Sequence, residues 1–281
     1  MAQQGRAVDP TPGRVRVLTW NVWWRFGPDW RGRQPALLHH LRAADPDVIA
    51  LQECWGTDST TQAHEFAAEL GMHAAFVAPS LPPPPEPPET EDQAGVAVGI
   101  GLLSRWPLAE VRAVALPAQH RDPSPVSAVA VVAHPAGPLH VVATCLEWEP
   151  AYGDDRIAQT QAVADLATSR SVDGPLPVVL CGDLNAAPDS PVLRPVHASL
   201  VDAWRAGGGD PSVATLRSDH PQASVELDEL IDQRIDHVFF RPGLADRHVA
   251  VETVALVGEP VDGVHPSDHH GVVCDLTWPA G

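Results

Sequence analysis

The chain has 281 residues, of which 44% are hydrophobic, so it is long enough and apolar enough to bury a sizeable core. Eighteen basic residues stand against thirty-six acidic ones, and the formal net charge of -18 disfavours extended duplex DNA as a partner. No apolar run approaches the roughly 18 residues of a transmembrane helix, and the first 13 residues lack the apolar region of a signal peptide.

The cysteines indicate a reducing compartment. Cys54, Cys145, Cys181 and Cys274 each lie in or beside an apolar run, and no two of them have the spacing of a zinc site. We therefore expect them to be buried and reduced, and we expect the protein to be cytoplasmic. Residues 1–13 are predicted to be a disordered leader, and the absence of a linker farther on predicts one domain over residues 1–281.

The first elements in the chain predict a β-α-β unit. Alternating apolar residues indicate a strand over residues 15–21, and leucines at helical spacing indicate a helix over residues 34–44. Residues 47–55 form a second apolar strand with Glu53 near its end. Two strands joined through a helix are expected to be parallel and right-handed. A second amphipathic helix is predicted over residues 60–70.

The middle of the chain is predicted to consist mainly of strands. The acidic, proline-rich residues 79–93 cannot form a helix or an inner strand, so a surface loop is expected there. Strands are predicted over residues 96–103 and 111–116. Residues 126–133 and 139–146 are predicted to form an antiparallel pair.

A helix over residues 154–168 then leads into the apolar strand that begins at Val178. This strand breaks at Gly182 and delivers Asp183 and Asn185, which point the same way if the segment stays extended. The last predicted strands cover residues 234–240, 249–256 and 271–276. The strand-helix alternation early and late in the chain predicts the α/β class.

Polar side chains follow the ends of five apolar strands. They are Asn21, Glu53, Asp183 with Asn185, Asp236 with His237, and Asp268 with His269. Ligands of open α/β sheets bind outside one set of strand ends, so these side chains are expected to converge on one site. Carboxylates are hard ligands suited to Mg²⁺ or Mn²⁺ rather than zinc. A carboxylate such as Asp236 can orient an imidazole such as His269 for phosphoryl chemistry.

These residues stand in motifs that resemble those of the endonuclease/exonuclease/phosphatase superfamily, which includes apurinic endonucleases, deoxyribonuclease I, inositol polyphosphate 5-phosphatases and neutral sphingomyelinases. The similarity extends from about Val15 to Trp278. The matching segments are Trp20-Asn21-Val22, Leu51-Gln52-Glu53, Gly182-Asp183-Leu184-Asn185, Arg234-Ile235-Asp236-His237, Ser267-Asp268-His269 and Leu102-Leu103-Ser104-Arg105-Trp106-Pro107.

The resemblance implies a two-sheet, four-layer α/β sandwich with the active site at one rim of the sheets. It implies that Glu53 is the main ligand of Mg²⁺ or Mn²⁺, with Asn21 and Asp268 beside the metal. Asp183 would orient or deprotonate the attacking water, and Asn185 would hold the phosphate. His269, polarised by Asp236, would stabilise the phosphoryl oxygens.

The sequence departs from the superfamily at one strand end. Many members carry Asn-Thr-His-Leu where this chain has Ala143-Thr144-Cys145-Leu146. A thiol cannot supply the cationic hydrogen bond of an imidazole, which predicts lower activity or an unusual substrate. Trp148 and Arg156, which follow closely, are the candidates for rebuilding the substrate pocket.

Three functional hypotheses follow. The first is a metal-dependent phosphoesterase that hydrolyses a phosphodiester or phosphomonoester, more specifically of a small-molecule or lipid-linked phosphate. The second is a metal-dependent nuclease on short or single-stranded nucleic acid, because tryptophans near the strand ends can stack on bases. The third is a non-catalytic protein that binds a phosphate ligand and has lost turnover through Cys145.

Overall fold

The computed structural model describes residues 13–221, 230–242 and 248–279. Two six-stranded sheets pack face to face, and helices cover their outer faces. This is the predicted four-layer α/β sandwich. The predicted leader lies outside the described residues, apart from Gly13. None of the helices in the described part of the chain combines the length and apolar character needed to cross a bilayer.

The described residues contain twelve strands and five α-helices. The strands are β1 (Arg14–Asn21), β2 (Val48–Gly56), β3 (His73–Val77), β4 (Ala97–Ser104), β5 (Leu108–Ala115), β6 (Val126–His134), β7 (Gly137–Cys145), β8 (Val178–Asp183), β9 (Val201–Asp202), β10 (Asp236–Arg241), β11 (Ala250–Val257) and β12 (Gly271–Thr277). The helices are α1 (Trp30–Ala44), α2 (Gln62–Leu70), α3 (Gly153–Thr168), α4 (Arg194–His197) and α5 (Ala203–Ala206).

Each sheet mixes parallel and antiparallel neighbours. The first sheet has the order β11-β12-β1-β2-β4-β3, and the second has the order β5-β6-β7-β8-β10-β9. In the first sheet β1 and β2 are parallel, as predicted for the β-α-β unit, and β12 is antiparallel to β1. In the second sheet β7 and β8 are parallel, and β10 runs antiparallel to β8. The ends of β1, β2, β7 and β8 are thereby brought to one rim.

Alternation along the strands decides which side chains fill the space between the sheets. In β8, Val179 and Cys181 belong to the core between the two sheets, whereas Val178 and Leu180 pack in the layer with α3. The same period carries Asp183 to the side that faces the other sheet. The last residue of the strand therefore leaves the core at the seam between the sheets.

Several elements differ from the sequence predictions, among them β5, which begins at Leu108, and β9, α4 and α5, which were not predicted. Helix α1 begins at Trp30, four residues before the predicted start, because the side chain of Asp29 accepts a hydrogen bond from the backbone N–H of Gly32 and caps it. Strand β3 was not predicted. Its residues are only partly buried or exposed at a sheet edge, so they lack the apolar alternation that marks an inner strand.

Candidate active site

The predicted site residues meet at the rim where the two sheets face each other. Asn21 ends β1, and Asp183 ends β8 directly opposite Asp236, the first residue of β10. Asp268 and His269 lie just before β12 and are separated from it by one residue. The cleft at this rim has a volume of about 440 Å³.

Glu53 reaches the cleft through a bulge in β2. The register between β2 and β4 shifts between Leu51 and Cys54, where three steps along β2 match two steps along β4. Glu53 has a φ of 51°, in the left-handed region that a non-glycine residue rarely adopts. A bulge re-aims one side chain without ending the strand, and here it turns the carboxylate of Glu53 into the cleft.

Asn21 links the carboxylates of the two sheets. Its amide Nδ2 donates to Oε1 of Glu53 at 2.7 Å and to Oδ2 of Asp183 at 3.1 Å. Its Oδ1 accepts a hydrogen bond from the backbone N–H of Trp23 at 3.0 Å. In this orientation Asn21 holds Glu53 and Asp183 together, and metal binding through its oxygen remains a prediction.

A close approach of β7 and β8 fixes Asp183. Gly182 has a φ of 148°, and a Cβ atom there would lie 1.9 Å from the carbonyl oxygen of Thr144. After this point the chain turns, since Asn185 has a φ of 48° and its backbone N–H donates to Oδ1 of Asp183 at 2.9 Å. Strand alternation therefore stops at Asp183, and a turn brings Asn185 into the cleft.

His269 and Asp236 form a buried pair. Nδ1 of His269 donates to Oδ2 of Asp236 at 2.9 Å, and the backbone carbonyl of His269 accepts a hydrogen bond from the indole of Trp20 at 2.9 Å. Burial lowers the pKa of His269, but the carboxylates of Asp236, Asp268 and Asp183 outweigh it and raise this pKa well above its usual range. The geometry therefore favours the imidazolium form.

The carboxylates are crowded in a buried place. Burial raises the pKa of Glu53 to about 8, and the charge of Asp268 adds to this effect. Burial and the charge of Asp236 raise the pKa of Asp183 to about 7, and burial also raises the pKa of Asp268. A cation would offset the repulsion between these carboxylates and favour their ionised forms. The oxygen-rich donor set therefore fits a hard divalent ion.

A second group of potential ligand atoms lies beside these carboxylates. Ligand atoms of Asp183, Asp236 and His269 lie within 4.8 Å of one another, but the imidazolium form of His269 has no free lone pair for a metal ion. Oδ1 of Asp236 is buried and has no hydrogen-bond partner among the described residues. Because Oδ2 of Asp236 already accepts from His269, we keep Glu53 and Asp268 as the predicted ligands.

The cleft has an aromatic and apolar wall beside its carboxylates. Its lining combines Trp23, Phe26, Gly27, Pro82, Cys145, Trp148 and Leu216 with the polar residues Glu53, Glu89, Asp183, Asn185, Asp268 and His269. Trp148 thus lines the cleft, and its contact with substrate remains a prediction. Cys145 lies beside Asp183 across β7 and β8, and burial raises the pKa of its thiol well above the usual range. The thiol there is neutral.

Arg156 lies behind the cleft wall. Its guanidinium donates to the backbone carbonyl of Asn185 at 2.9 Å, and it is not among the described residues that line the cleft. It supports the turn that carries Asn185, and direct contact with substrate remains a prediction.

A buried ion pair holds the Trp148 segment. Nε and Nη2 of Arg121 donate to the two carboxylate oxygens of Glu147, each at 2.8 Å. Oε1 of Glu147 also accepts hydrogen bonds from the backbone N–H groups of Trp148 at 3.2 Å and Glu149 at 3.0 Å. Glu147 is fully buried, so these bonds fix the strand end that lacks the superfamily histidine.

No motif in the sequence points to Arg33. This buried guanidinium donates to the backbone carbonyls of Trp23 at 3.1 Å, Trp24 at 3.2 Å and Phe26 at 2.9 Å. Burial lowers its pKa to about 10, although Asp268 and Glu53 oppose that change. Trp23 and Trp24 both have positive φ values, of 58° and 31°. Arg33 therefore stabilises the irregular turn that forms one side of the cleft.

Two packed sheets with a carboxylate-rich rim and a histidine–aspartate pair define the class of metal-dependent hydrolases that act on phosphoester bonds. The sequence matches the model of the Endonuclease/Exonuclease/phosphatase family over residues 18–269. The chain belongs to this family, which confirms the predicted superfamily and the predicted enzyme class. No curated protein matches the sequence.

Solved structures share the fold. D. rerio TDP2 complexed with single strand DNA product has a TM-score of 0.74 and 18% identity, with 94% of this chain and 99% of that chain covered. The endonuclease/exonuclease/phosphatase from Beutenbergia cavernae DSM 12333 has a TM-score of 0.69 and 25% identity, with 95% and 72% covered. The human Nocturnin catalytic domain with bound sulfate anion has a TM-score of 0.69 and 20% identity, with 95% of each chain covered.

Proposed function

We propose that the protein hydrolyses a phosphoester of a small molecule or a lipid-linked phosphate. The observation that carries this proposal is the convergence of the His269–Asp236 pair with Glu53, Asp183 and Asp268 on one cleft. The aromatic and apolar residues on its other side suit an organic group attached to the phosphate.

Glu53 is the proposed main ligand of Mg²⁺ or Mn²⁺, with Asp268 beside it. The ion, when bound, would polarise the phosphoryl group and offset the negative charge of the site. Asn21 contributes by holding the carboxylates of Glu53 and Asp183 at a fixed separation. The raised pKa values of the carboxyl groups support this assignment, because a bound cation favours their ionised forms.

The remaining groups act on water and on the phosphoryl oxygens. Asp183 accepts a hydrogen bond from the attacking water and orients it. Asn185 donates one amide N–H to the carbonyl of Leu146 at 2.9 Å, and its second amide N–H is directed to a phosphoryl oxygen. His269, held as an imidazolium by Asp236, donates to another phosphoryl oxygen and stabilises the charge that develops there.

A nuclease acting on short or single-stranded nucleic acid is the second candidate. The aromatic rings of Trp23, Phe26 and Trp148 line the cleft, and bases stack on such rings whatever their sequence. One structure with this fold, D. rerio TDP2, is described as a complex with single strand DNA product.

The proposal is tested by hydrolysis of bis(4-nitrophenyl) phosphate and 4-nitrophenyl phosphate with Mg²⁺, with Mn²⁺ and with chelator. We expect chelator-sensitive release that falls by about 10² to 10⁴ in His269→Ala, the usual contribution of a group that transfers or donates a proton at the reacting centre. Glu53→Gln is expected to raise the metal concentration for half-maximal activity roughly tenfold or more. His197→Ala, which removes an exposed histidine outside the cleft, is the matched control.

The two esters separate diesterase from monoesterase activity, and a labelled single-stranded oligonucleotide tests the nuclease candidate. Full activity in His269→Ala would contradict the assigned site. Phosphate binding in calorimetry without release from any of these compounds would instead favour the non-catalytic alternative.

A further inference from the structure

The acidic, proline-rich segment from Pro79 to Gln93 forms a wall of the cleft. Pro82 and Glu89 lie in the lining together with Trp23 on the opposite loop. The segment is thus part of the space that a substrate would occupy, although it contributes no residue to the metal site or the histidine–aspartate pair.

The segment is fixed at both ends. Near its start, Leu81 is buried in the core between the sheets, and the backbone N–H of Ser80 donates to the carbonyl of Val98 at 2.9 Å. Near its end, Gln93 is buried and donates through Nε2 to the backbone carbonyl of Arg25 at 3.0 Å.

Gln93 also places Glu89. Oε1 of Gln93 accepts a hydrogen bond from the backbone N–H of Glu89 at 2.9 Å, and Nε2 of Gln93 donates one to a carboxylate oxygen of Glu89 at 3.2 Å. Asp92, next to Gln93, forms an ion pair with Arg31, whose guanidinium lies over the ring of Trp30 at 4.4 Å. Glu89 is exposed, and its two hydrogen bonds with Gln93 place its carboxylate at the mouth of the cleft.

The lining has little positive charge to set against this carboxylate. Among the described residues that line the cleft, none is arginine and His269 is the single group that can carry a positive charge. The whole sequence contains no lysine, so its eighteen basic residues are all arginine.

Four arginines near the cleft bind protein groups, and one of them, Arg156, donates to the backbone carbonyl of Asn185. Arg33 binds backbone carbonyls of the loop that carries Trp23, and Arg121 binds Glu147. Arg25 lies over the rings of Trp30 at 4.2 Å and Trp55 at 4.8 Å. The cleft therefore offers one place for a phosphate, beside His269, and a carboxylate rather than a cation at its mouth.

We propose that Glu89 is a specificity-determining residue that disfavours substrates with a second phosphate. This inference rests on the proposed phosphoesterase function and narrows its substrate class to esters that carry a single phosphate and an uncharged apolar or aromatic group. Proline fixes the backbone of the segment around Glu89, and the hydrogen bond from Gln93 places the carboxylate beside the cleft.

The test compares two substrates that differ by one phosphate. They are the 4-nitrophenyl ester of thymidine 5′-phosphate and the same compound with an added 3′-phosphate. Wild type is expected to prefer the first in kcat/KM. In Glu89→Gln this preference should fall about sixfold at low salt, because two charges roughly 8 Å from a carboxylate in water each change binding by about 2.4-fold. Glutamine keeps the oxygen that accepts from Gln93, so the segment stays in place.

Glu86→Gln is the matched control, since Glu86 is exposed in the same segment and is not part of the lining. It changes the net charge by the same amount, so the ratio between the substrates should stay at its wild-type value. Raising the salt concentration should reduce the preference of wild type and leave Glu89→Gln almost unchanged.

The outcomes separate this inference from the proposed function. Metal-dependent release with the same substrate ratio in wild type and Glu89→Gln would overturn the role of Glu89 and leave the phosphoesterase intact. If neither substrate is hydrolysed, calorimetry with thymidine 5′-phosphate and thymidine 3′,5′-bisphosphate in Ca²⁺ decides the matter. Tighter binding of the bisphosphate by Glu89→Gln alone supports the inference, and equal binding by both proteins overturns it.

Discussion

Replacing Glu147 by alanine tests how the chain holds the strand end that lacks the superfamily histidine. The carboxylate is fully buried and accepts two hydrogen bonds from Arg121 and two from backbone N–H groups, at 2.8 to 3.2 Å. Its removal leaves the guanidinium of Arg121, which is 18% exposed, without its carboxylate partner. Breaking a fully buried pair from one side costs about 3–5 kcal/mol. Because Arg121 still reaches solvent, we expect the free energy of unfolding to fall by about 3 kcal/mol, at the lower end of that range.

The chain provides a control of the same chemistry. Glu110 and Arg112 form a pair at 3.0 Å in which the side chains are 59% and 49% exposed. Such surface pairs contribute about 0–1 kcal/mol, so Glu110→Ala should lower the free energy of unfolding by no more than that. Urea unfolding followed by circular dichroism at neutral pH measures both variants. Equal losses in the two variants would refute the reasoning.

The same substitution has a functional readout. Glu147 holds the backbone of Trp148, whose ring lines the cleft. Glu147→Ala should therefore raise KM more than it lowers kcat, because it loosens a wall of the cleft and leaves His269 and Asp236 in place. A loss confined to kcat would show that the pair acts on the reacting groups instead.

Two further predictions concern buried ionisable groups. Cys145→Ala should leave kcat within about threefold of wild type, because burial raises the pKa of the thiol and keeps it neutral and unreactive. A loss of kcat beyond about tenfold would contradict this. Burial tends to raise the pKa of Asp275, but hydrogen bonds from Arg16, Thr253 and Arg14 outweigh it and lower this pKa to about 2. Because the folded-state pKa is depressed, its stabilising effect is complete above the ordinary carboxyl pKa and is lost as the pH falls through about 2. The difference in the free energy of unfolding between wild type and Asp275→Asn should therefore narrow by about 2 kcal/mol between roughly pH 4 and pH 2, and a constant difference would contradict the assignment.

The residues that end regular strands could be predicted from the sequence. Asn21, Asp183 and Asp236 stand at the ends of apolar runs, and the structure places them at one rim. Apolar alternation carries this information because it reports which face of a strand is buried.

Local backbone irregularity limited the prediction. Glu53 and Asn185 both face the cleft through left-handed residues, one in a bulge and one in a turn. Strand alternation does not describe such positions, and the argument that Asp183 and Asn185 share a side of one extended strand was wrong in its geometry, because β8 ends at Asp183. Both residues nevertheless line the cleft.

Contacts made by segments without a regular apolar pattern could not be predicted. Residues 79–93 have no periodicity, and their place beside the cleft depends on Asp92 and Gln93 meeting residues near Arg25. The hydrogen bond from the guanidinium of Arg156 to the carbonyl of Asn185 also had no signal in the sequence, and contact of Arg156 with substrate remains a prediction. Such pairings follow from the packing of whole elements.

The order of strands has a consequence for synthesis on the ribosome. The first sheet joins the two ends of the described chain, since β12 pairs with β1, while β5 to β10 make the second sheet from its middle. Glu53, Asp183 and Asp236 are synthesised before residues 268–277. Until those residues are made, Asp236 lacks the imidazole of His269, and β1 lacks its partner β12.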